Sequence, residues 1–190
     1  MSKYLEGLNI VDYTFSGNEL SYIEYESCTF TNCDFSGLAF LAMAFIDCHF
    51  IKCKFNNTNV NHTAFRSAQF IRCIITDVNF AMCDKFLFNM DFAHCQMDFC
   101  KFYGLKMKAI SFIDCKLIAV DFMATDLSNA NFSESDLRRA TFIESKLIKA
   151  DFSTAINYVF DPKANKVKGA IFSKEGLPGL LEHFNIVVTQ

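Results

Sequence analysis

The sequence predicts an all-β solenoid, a coil assembled from five-residue sides, and two observations carry the prediction. Every fifth residue is apolar over two long runs, and the residue two places before is small or apolar as well from Cys28 to Val78 and from Met90 to Ala150. A period of five matches neither the period of about 3.6 of an α-helix nor the two-residue period of a strand, so no ordinary amphipathic element accounts for it. Length and composition agree: 190 residues, 52% apolar and 21% charged, can bury one core and are too hydrophobic for disorder.

The first run reads Ile10, Phe15, Leu20, Tyr25, Phe30, Phe35, Phe40, Phe45, Phe50, Phe55, Val60, Phe65, Phe70, Ile75 and Phe80. A second begins seven residues on, at Leu87, and continues through Phe92, Met97, Phe102, Met107, Phe112, Leu117, Phe122, Leu127, Phe132, Leu137, Phe142, Leu147 and Phe152. These positions, called i, hold 17 of the 23 Phe, so the excess of Phe has one cause. Position i−2 holds Cys28, Cys33, Met43, Cys48, Cys53, Ala68 and Cys73 in the first run and Cys95, Cys100, Cys115, Ala130, Ser135 and Ala140 in the second. Two inward residues flanking an outward one is local strand alternation, which leaves i−1, i+1 and i+2 for solvent and corners. Position i−1 is accordingly polar, as in Asp121, Asp126, Asn131, Asp136 and Asp151.

In its clearest stretch the chain reads Ala130-Asn131-Phe132-Ser133-Glu134, Ser135-Asp136-Leu137-Arg138-Arg139. This A(D/N)LXX pattern resembles the pentapeptide repeat family from Ile10 to Phe152. The resemblance implies a right-handed quadrilateral β-helix with four units per turn and about seven coils, roughly 34 Å tall at about 4.8 Å per strand. A coil of this kind gains its core by stacking and needs capped ends. Residues 1–156 are expected to form the β-helix and residues 157–190 a capping and dimerisation module.

Nine Cys invite a metal or disulfide reading, and the spacings 28/33, 48/53 and 95/100 fall within a loose zinc-ligand range. Position favours packing. All nine sit at i−2 of their local phase, Cys83 at i−2 of the absent unit at 85, which spreads them along an inner wall instead of converging them. Cys then acts as a small buried hydrophobe. The four His (His49, His62, His94, His183) fall at outward or C-terminal positions. No nucleophile elbow, zinc-protease, Walker A or dinucleotide motif is present. No catalytic, cofactor-binding or metal-binding residue is expected, and the chain reads as a non-enzyme.

Function is sought where the rule of five fails. Ala81 to Phe86 contain two extra residues, either a bulge absorbed locally or a projecting contact element with Asp84, Lys85 and Phe86 outermost. A second candidate contact is the i+1 row Tyr103, Met123 and Ile143, which recurs every twenty residues and so lies on one side of the column; Ile51 and Ile71 form a shorter row.

After Phe152 the pattern stops. Asp161-Pro162 reads as a turn, and Leu177, Leu180, Leu181 and Phe184 at helical spacing read as a short amphipathic helix. Ile186, Val187 and Val188 read as a terminal strand. These seven residues cap the column, or cap it and dimerise it. The tail, Phe160-Asp-Pro-Lys-Ala-Asn-Lys-Val-Lys-Gly-Ala-Ile-Phe-Ser173 with Leu180 to Val188, resembles the C-terminal module of the Qnr-type quinolone-resistance and microcin-immunity subgroup. That resemblance implies a tail-to-tail homodimer, an acidic rod that mimics duplex DNA and binds DNA gyrase or topoisomerase IV, protecting it from quinolones or toxins. A structural or adaptor solenoid for an unrelated protein partner is the alternative.

The longest apolar run, Leu38 to Ile46, is about half of a membrane-spanning helix, and Met1 to Glu6 leads into no apolar signal core, so a cytoplasmic protein without membrane contact is expected. The net charge of −3 argues against a basic nucleic-acid-binding surface. Charge is uneven: up to residue 50 Lys3 stands alone against Glu6, Asp12, Glu19, Glu24, Glu26, Asp34 and Asp47, whereas residues 51–110 are net basic.

Overall fold

The computed structural model describes residues 3–16 and 20–186. The chain climbs in coils of twenty residues, four five-residue sides to a coil, and all strand pairing is parallel. The strands are β1 Lys3–Glu6, β2 Asn9–Val11, β3 Ile23–Glu26, β4 Thr29–Thr31, β5 Ala44–Ile46, β6 His49–Ile51, β7 Ala64–Arg66, β8 Ala68–Ile71, β9 Met90–Ala93, β10 Phe112–Ile113, β11 Asp151–Phe152 and β12 Ile171–Phe172. One side is the sheet β1-β3-β5-β7, the next is β2-β4-β6-β8-β9-β10, and β11 pairs β12 further up the same side. Elsewhere single bridges keep the spacing, as in Asp121↔Thr141 and Lys106↔Asp126.

Positions i and i−2 fill the column as the alternation predicts. On the second side Ile10, Phe30, Phe50 and Phe70 stand in register, Phe92 and Phe112 follow, and Phe132, Phe152 and Phe172 complete a single stack of about eight turns. Neighbouring rings lie parallel, at 4.8 Å for Phe50 on Phe70 and 5.4 Å for Phe112 on Phe132. Rings on opposite sides of the coil meet edge to face across the core, as Phe112 meets Phe122. Both arrangements suit the aromatic quadrupole.

Most corners are made without glycine, which takes the left-handed position at Gly7, Gly37, Gly104 and Gly169. At i+2 the backbone turns left-handed, with φ of 54° at Asn32, 55° at Ala124 and 61° at Glu134, and such N–H groups reach a carbonyl in the coil above, as Asn32 does to Ile51 and Glu144 does to Ala164. A non-glycine residue resists this conformation by about 1–2 kcal/mol, and the inter-coil hydrogen bond offsets the cost. Asp or Asn at i−1 braces the same corner: the carboxylate of Asp121 accepts from the Met123 N–H at 2.8 Å, and Asn131 accepts likewise from Ser133 at 2.9 Å. This Asx turn is the physical reason for D/N in the repeat.

Position i−2 also satisfies backbone. Thr125, Ser135 and Ser145 donate to the carbonyls of Phe102, Phe112 and Phe122, and the thiols of Cys53, Cys73 and Cys100 point in the same way at the carbonyls of Phe30, Phe50 and Ile75. All nine Cys are buried and free. Burial pushes the Cys48 and Cys100 thiols up to about 12.

The phase break differs from its sequence reading. Leu87 is not the first inward residue of the second run; it is 65% exposed, with φ of 54°, and forms the corner of a unit whose i residue is the exposed Lys85. Pairing is still offset by twenty at Ala64↔Asp84 and is offset by 22 at Ala68↔Met90, so the two extra residues enter between Asp84 and Met90. Leu87 is apolar at a spacing of five from Phe92, which is why sequence alone placed it inside. Phe88 packs partly against the core, and Phe70 then stacks on Phe92 at 5.0 Å, so the column absorbs the insertion within one coil.

Stacking also passes Phe152. The Leu147 N–H reaches the Lys166 carbonyl and Phe172 lies on Phe152 at 5.3 Å, so residues 157–172 add a further, irregular coil that has lost the Phe comb. The short helix α1, Leu177–Leu181, with Pro178 in its first turn, closes the top. Gly176 and Gly179 press their backbones on Tyr158 so closely that neither position has room for a Cβ.

Candidate interaction surface

The filled column leaves shallow surface features, and the largest irregularity is the insertion. Asp84 accepts from the Phe86 N–H at 2.8 Å, an Asx turn that lifts Phe86 and Leu87 off the column; each is 65% exposed. The Arg66 guanidinium lies over the Phe86 ring, 5.5 Å from its centre, a cation–π contact that holds the ring against the surface. Above the insertion a groove of about 310 Å³ opens, lined by Phe88, Asn89, Met90, Lys106, Met107, Lys108 and Ile110.

The insertion and the Tyr103 row are neighbours. Phe80–Met82 forms a 3-10 turn capped by Asn79 in place of the usual left-handed corner, and it carries Met82 outward, 47% exposed. Lys101 pairs with Asn79, so Tyr103 stands one coil above Ala81, followed by Met123 and Ile143 on the same side. Tyr103 and Ile143 are exposed and Met123 is half-buried. Asp84, Lys85 and Phe86 therefore lie around one corner from the foot of this row. Met82 and Leu87, which the sequence alone does not single out, are exposed beside them; Met82 lies beneath Gly104 at the offset of 22 that the insertion imposes.

The side bearing the insertion is charged in two halves. Its outward i−1 column rises through Tyr4, Glu24, Ala44, Ala64, Asp84, Lys106, Asp126, Lys146 and Lys166. Glu6 and Glu26 flank the lower end, and Lys108 and Lys168 the upper. Asp126 is paired within the chain to Lys146 at 3.4 Å and Lys108 at 3.9 Å. Burial pushes its carboxyl up, but the Ser128 hydroxyl and N–H and the Lys146 ammonium outweigh it and hold the carboxyl below its ordinary value. Overall net charge conceals this basic half: Lys106, Lys108, Lys146, Lys166 and Lys168 are all exposed on one side of the column, so a basic surface exists that the composition argument had excluded. Among the described residues no side of the column carries an acidic strip along its whole length.

The residues expected to dimerise separate into two groups. Within the capping helix Leu180 is buried and Leu181 half-buried, whereas Leu177, Phe184 and Ile186 are exposed. Ile156 and Val159, 54% and 47% exposed, extend that apolar end, around a groove of about 450 Å³ floored by Tyr158. Lys163 lies 4.8 Å from the centre of the Phe184 ring. Val187 and Val188, with the terminal strand, lie outside the described residues.

Among the described residues no group of His, Cys, Asp and Glu is arranged to hold a metal ion, and no helix is long and apolar enough to cross a membrane. His94 is exposed and bonds Asp114 at 2.8 Å, one coil above, a surface pair.

The family model of the pentapeptide repeat region matches residues 23–85 and 73–152. A trypsin-treated variant of QnrB1, a plasmid-mediated fluoroquinolone resistance protein, has the same fold, with a TM-score of 0.54 at 15% identity over 100% of both chains. A second trypsin-treated QnrB1 variant gives 0.49 at 16% identity over 98% of this chain and 100% of that one. HetL, a pentapeptide repeat protein involved in heterocyst differentiation regulation in the cyanobacterium Nostoc sp. strain PCC 7120, gives 0.43 at 13% identity, covering 90% of this chain and 86% of its own. No curated protein matches the chain in sequence.

Proposed function

This chain belongs to the pentapeptide repeat family, and from that premise we propose that it is a non-enzymatic binding rod whose partner is a type II topoisomerase, DNA gyrase or topoisomerase IV. The observation that carries the binding reading is the contrast between a column sealed by its Phe and Cys stacks and an insertion that lifts Phe86 and Leu87 into solvent beside Tyr103. A rigid scaffold with a projecting apolar element suits docking, because little order is lost on binding. The choice of topoisomerase is supported by the tail resemblance and by a fold shared with a fluoroquinolone resistance protein along the whole length of both chains. In this reading Asp84, Lys85, Phe86, Tyr103, Met123 and Ile143 face the partner, and the exposed Leu177, Phe184 and Ile186 join two copies tail to tail. Protection from quinolones or toxins is the outcome, and the cytoplasm the compartment.

A second reading has an observation of its own. Segregated charge, acidic at the bottom and basic at the top of one side, suits a protein partner of mixed polarity better than it suits mimicry of uniformly anionic DNA. An adaptor for an unrelated partner would be built this way.

Gyrase supercoiling and ciprofloxacin-stabilised cleavage, with purified protein titrated into the micromolar range, separate the two. The topoisomerase reading expects altered supercoiling or less drug-induced cleavage. Unchanged activity in both assays, and in the matching decatenation and cleavage assays of topoisomerase IV, removes that partner and leaves the adaptor.

A further inference from the structure

Like charges are stacked on like charges at both ends of the side that bears the insertion. Glu6 lies directly against Glu26 in the parallel register, and Lys146 directly against Lys166. Such pairs are unfavourable within one copy. Among the described residues the ion pairs include neither Glu6 nor Glu24, and neither Lys166 nor Lys168. Asp84 is the fifth of nine rungs in this column, so the exposed Phe86 and Leu87 sit at its middle.

We propose that two copies of this chain associate side by side and antiparallel through this face, about a two-fold axis passing through the insertion. The axis lays rung one on rung nine and rung two on rung eight. Glu6 then faces the partner's Lys168, Glu24 faces the partner's Lys146, and Phe86 and Leu87 meet their own counterparts at the centre. Both copies repeat at about 4.8 Å, so charge register is kept from end to end. Parallel association is disfavoured because it lays lysine on lysine. Like charges meet at two places in the antiparallel arrangement, both near the axis: Asp84 meets the partner's Asp84 on it, and Arg66 meets the partner's Lys108 one rung away, beside the Phe86 ring that Arg66 already covers. A two-fold interface closes on itself, so this face joins two copies and no more.

A strip eight spacings long and one side wide buries roughly 450 Å² per copy, below the roughly 800 Å² of a standard stable interface. The pairing is therefore weak, reversible and salt-sensitive. It also covers the insertion, so any partner that docks there competes with the second copy.

The test is a charge swap read by sedimentation velocity over a concentration series at low and high salt. Glu6→Lys/Glu26→Lys makes both ends of the face basic, and Lys166→Glu/Lys168→Glu makes both acidic; all four sites are on the surface, and unchanged melting confirms folding. The tail is intact in every protein, so association through it is a shared baseline. Wild type should associate beyond that baseline at low salt and lose this at high salt, each variant alone should associate at least about tenfold more weakly, and the equimolar mixture should recover. Wild type that stays at baseline, variants that associate as wild type does, or a mixture that fails to recover would each overturn the proposal.

Discussion

The rings of Phe92 and Phe112 lie face to face, their centroids 5.3 Å apart and their planes within 1° of parallel. Phe92 is the first inward Phe after the insertion, so this contact shows the column fully restored one coil above the disturbance. Phe112 is sealed between Phe92 and Phe132 and meets Phe102 and Phe122 edge to face. Phe112→Ala should cost about 3–5 kcal/mol, because a wall of stacked rings cannot collapse into the void. Urea unfolding of the variant checks this, and a near-neutral result would mean that the stack does not carry stability.

Corner chemistry predicts an inverted rule for small residues. Ala109 is exposed with φ of 58°. Ala109→Gly should be neutral or stabilising by a few tenths of a kcal/mol, since relief of the left-handed backbone offsets the entropy of Gly. Ala109→Val should destabilise by about 1–2 kcal/mol, since branching at Cβ worsens the same clash. Thermal melting of the two variants orders them.

The thiols should behave as core. Cys33, Cys53, Cys73, Cys95 and Cys115 stand at i−2 on one side of successive coils, all buried, and burial raises Cys73 far above its ordinary value. A thiol reagent at mildly alkaline pH should label none of the nine until denaturant is added, because the thiolate is the reactive form. Rapid labelling of the native protein would contradict the packing.

Acid should weaken the fold through its Asx carboxylates. Asp34, Asp126 and Asp136 each feel burial that raises the carboxyl and hydrogen bonds that lower it further, to Ser36, to Ser128, and to Asn157 and Arg138 respectively, with a net depression in all three. A carboxyl depressed on folding contributes stability that is complete above the unfolded value, about 3.9, and disappears as pH falls through the folded value. Melting temperature should therefore drop on acidification below about pH 4, and less steeply in Asp126→Asn. An equal slope in the variant would remove Asp126 from the account.

Much of this was readable in the residues. The apolar comb and its i−2 companion required stacked inward positions, and the fold delivers them from Ile10 to Phe152. The phase of the insertion was not readable, because an apolar residue such as Leu87 suits the comb and a solvent corner equally in a list of letters; its positive φ decides. The last coil has no repeat signature because residues 157–172 stack through backbone bonds such as Leu147 to Lys166 after the Phe repeat has ended. The two-ended charge of the insertion side was hidden by averaging: Lys106, Lys146 and Lys166 are far apart along the chain and share a face because the coil repeats every twenty residues.

In the proposed function the column is scaffold and the insertion is the contact. The decisive measurement is the binding of purified DNA gyrase to wild type and to Phe86→Ala/Leu87→Ala. Both side chains are exposed, so melting should be unchanged within about 0.5 kcal/mol. Wild type should bind and the variant should bind at least about tenfold more weakly, as expected for loss of an apolar anchor. Equal binding by the two proteins, or no binding by wild type, would contradict it.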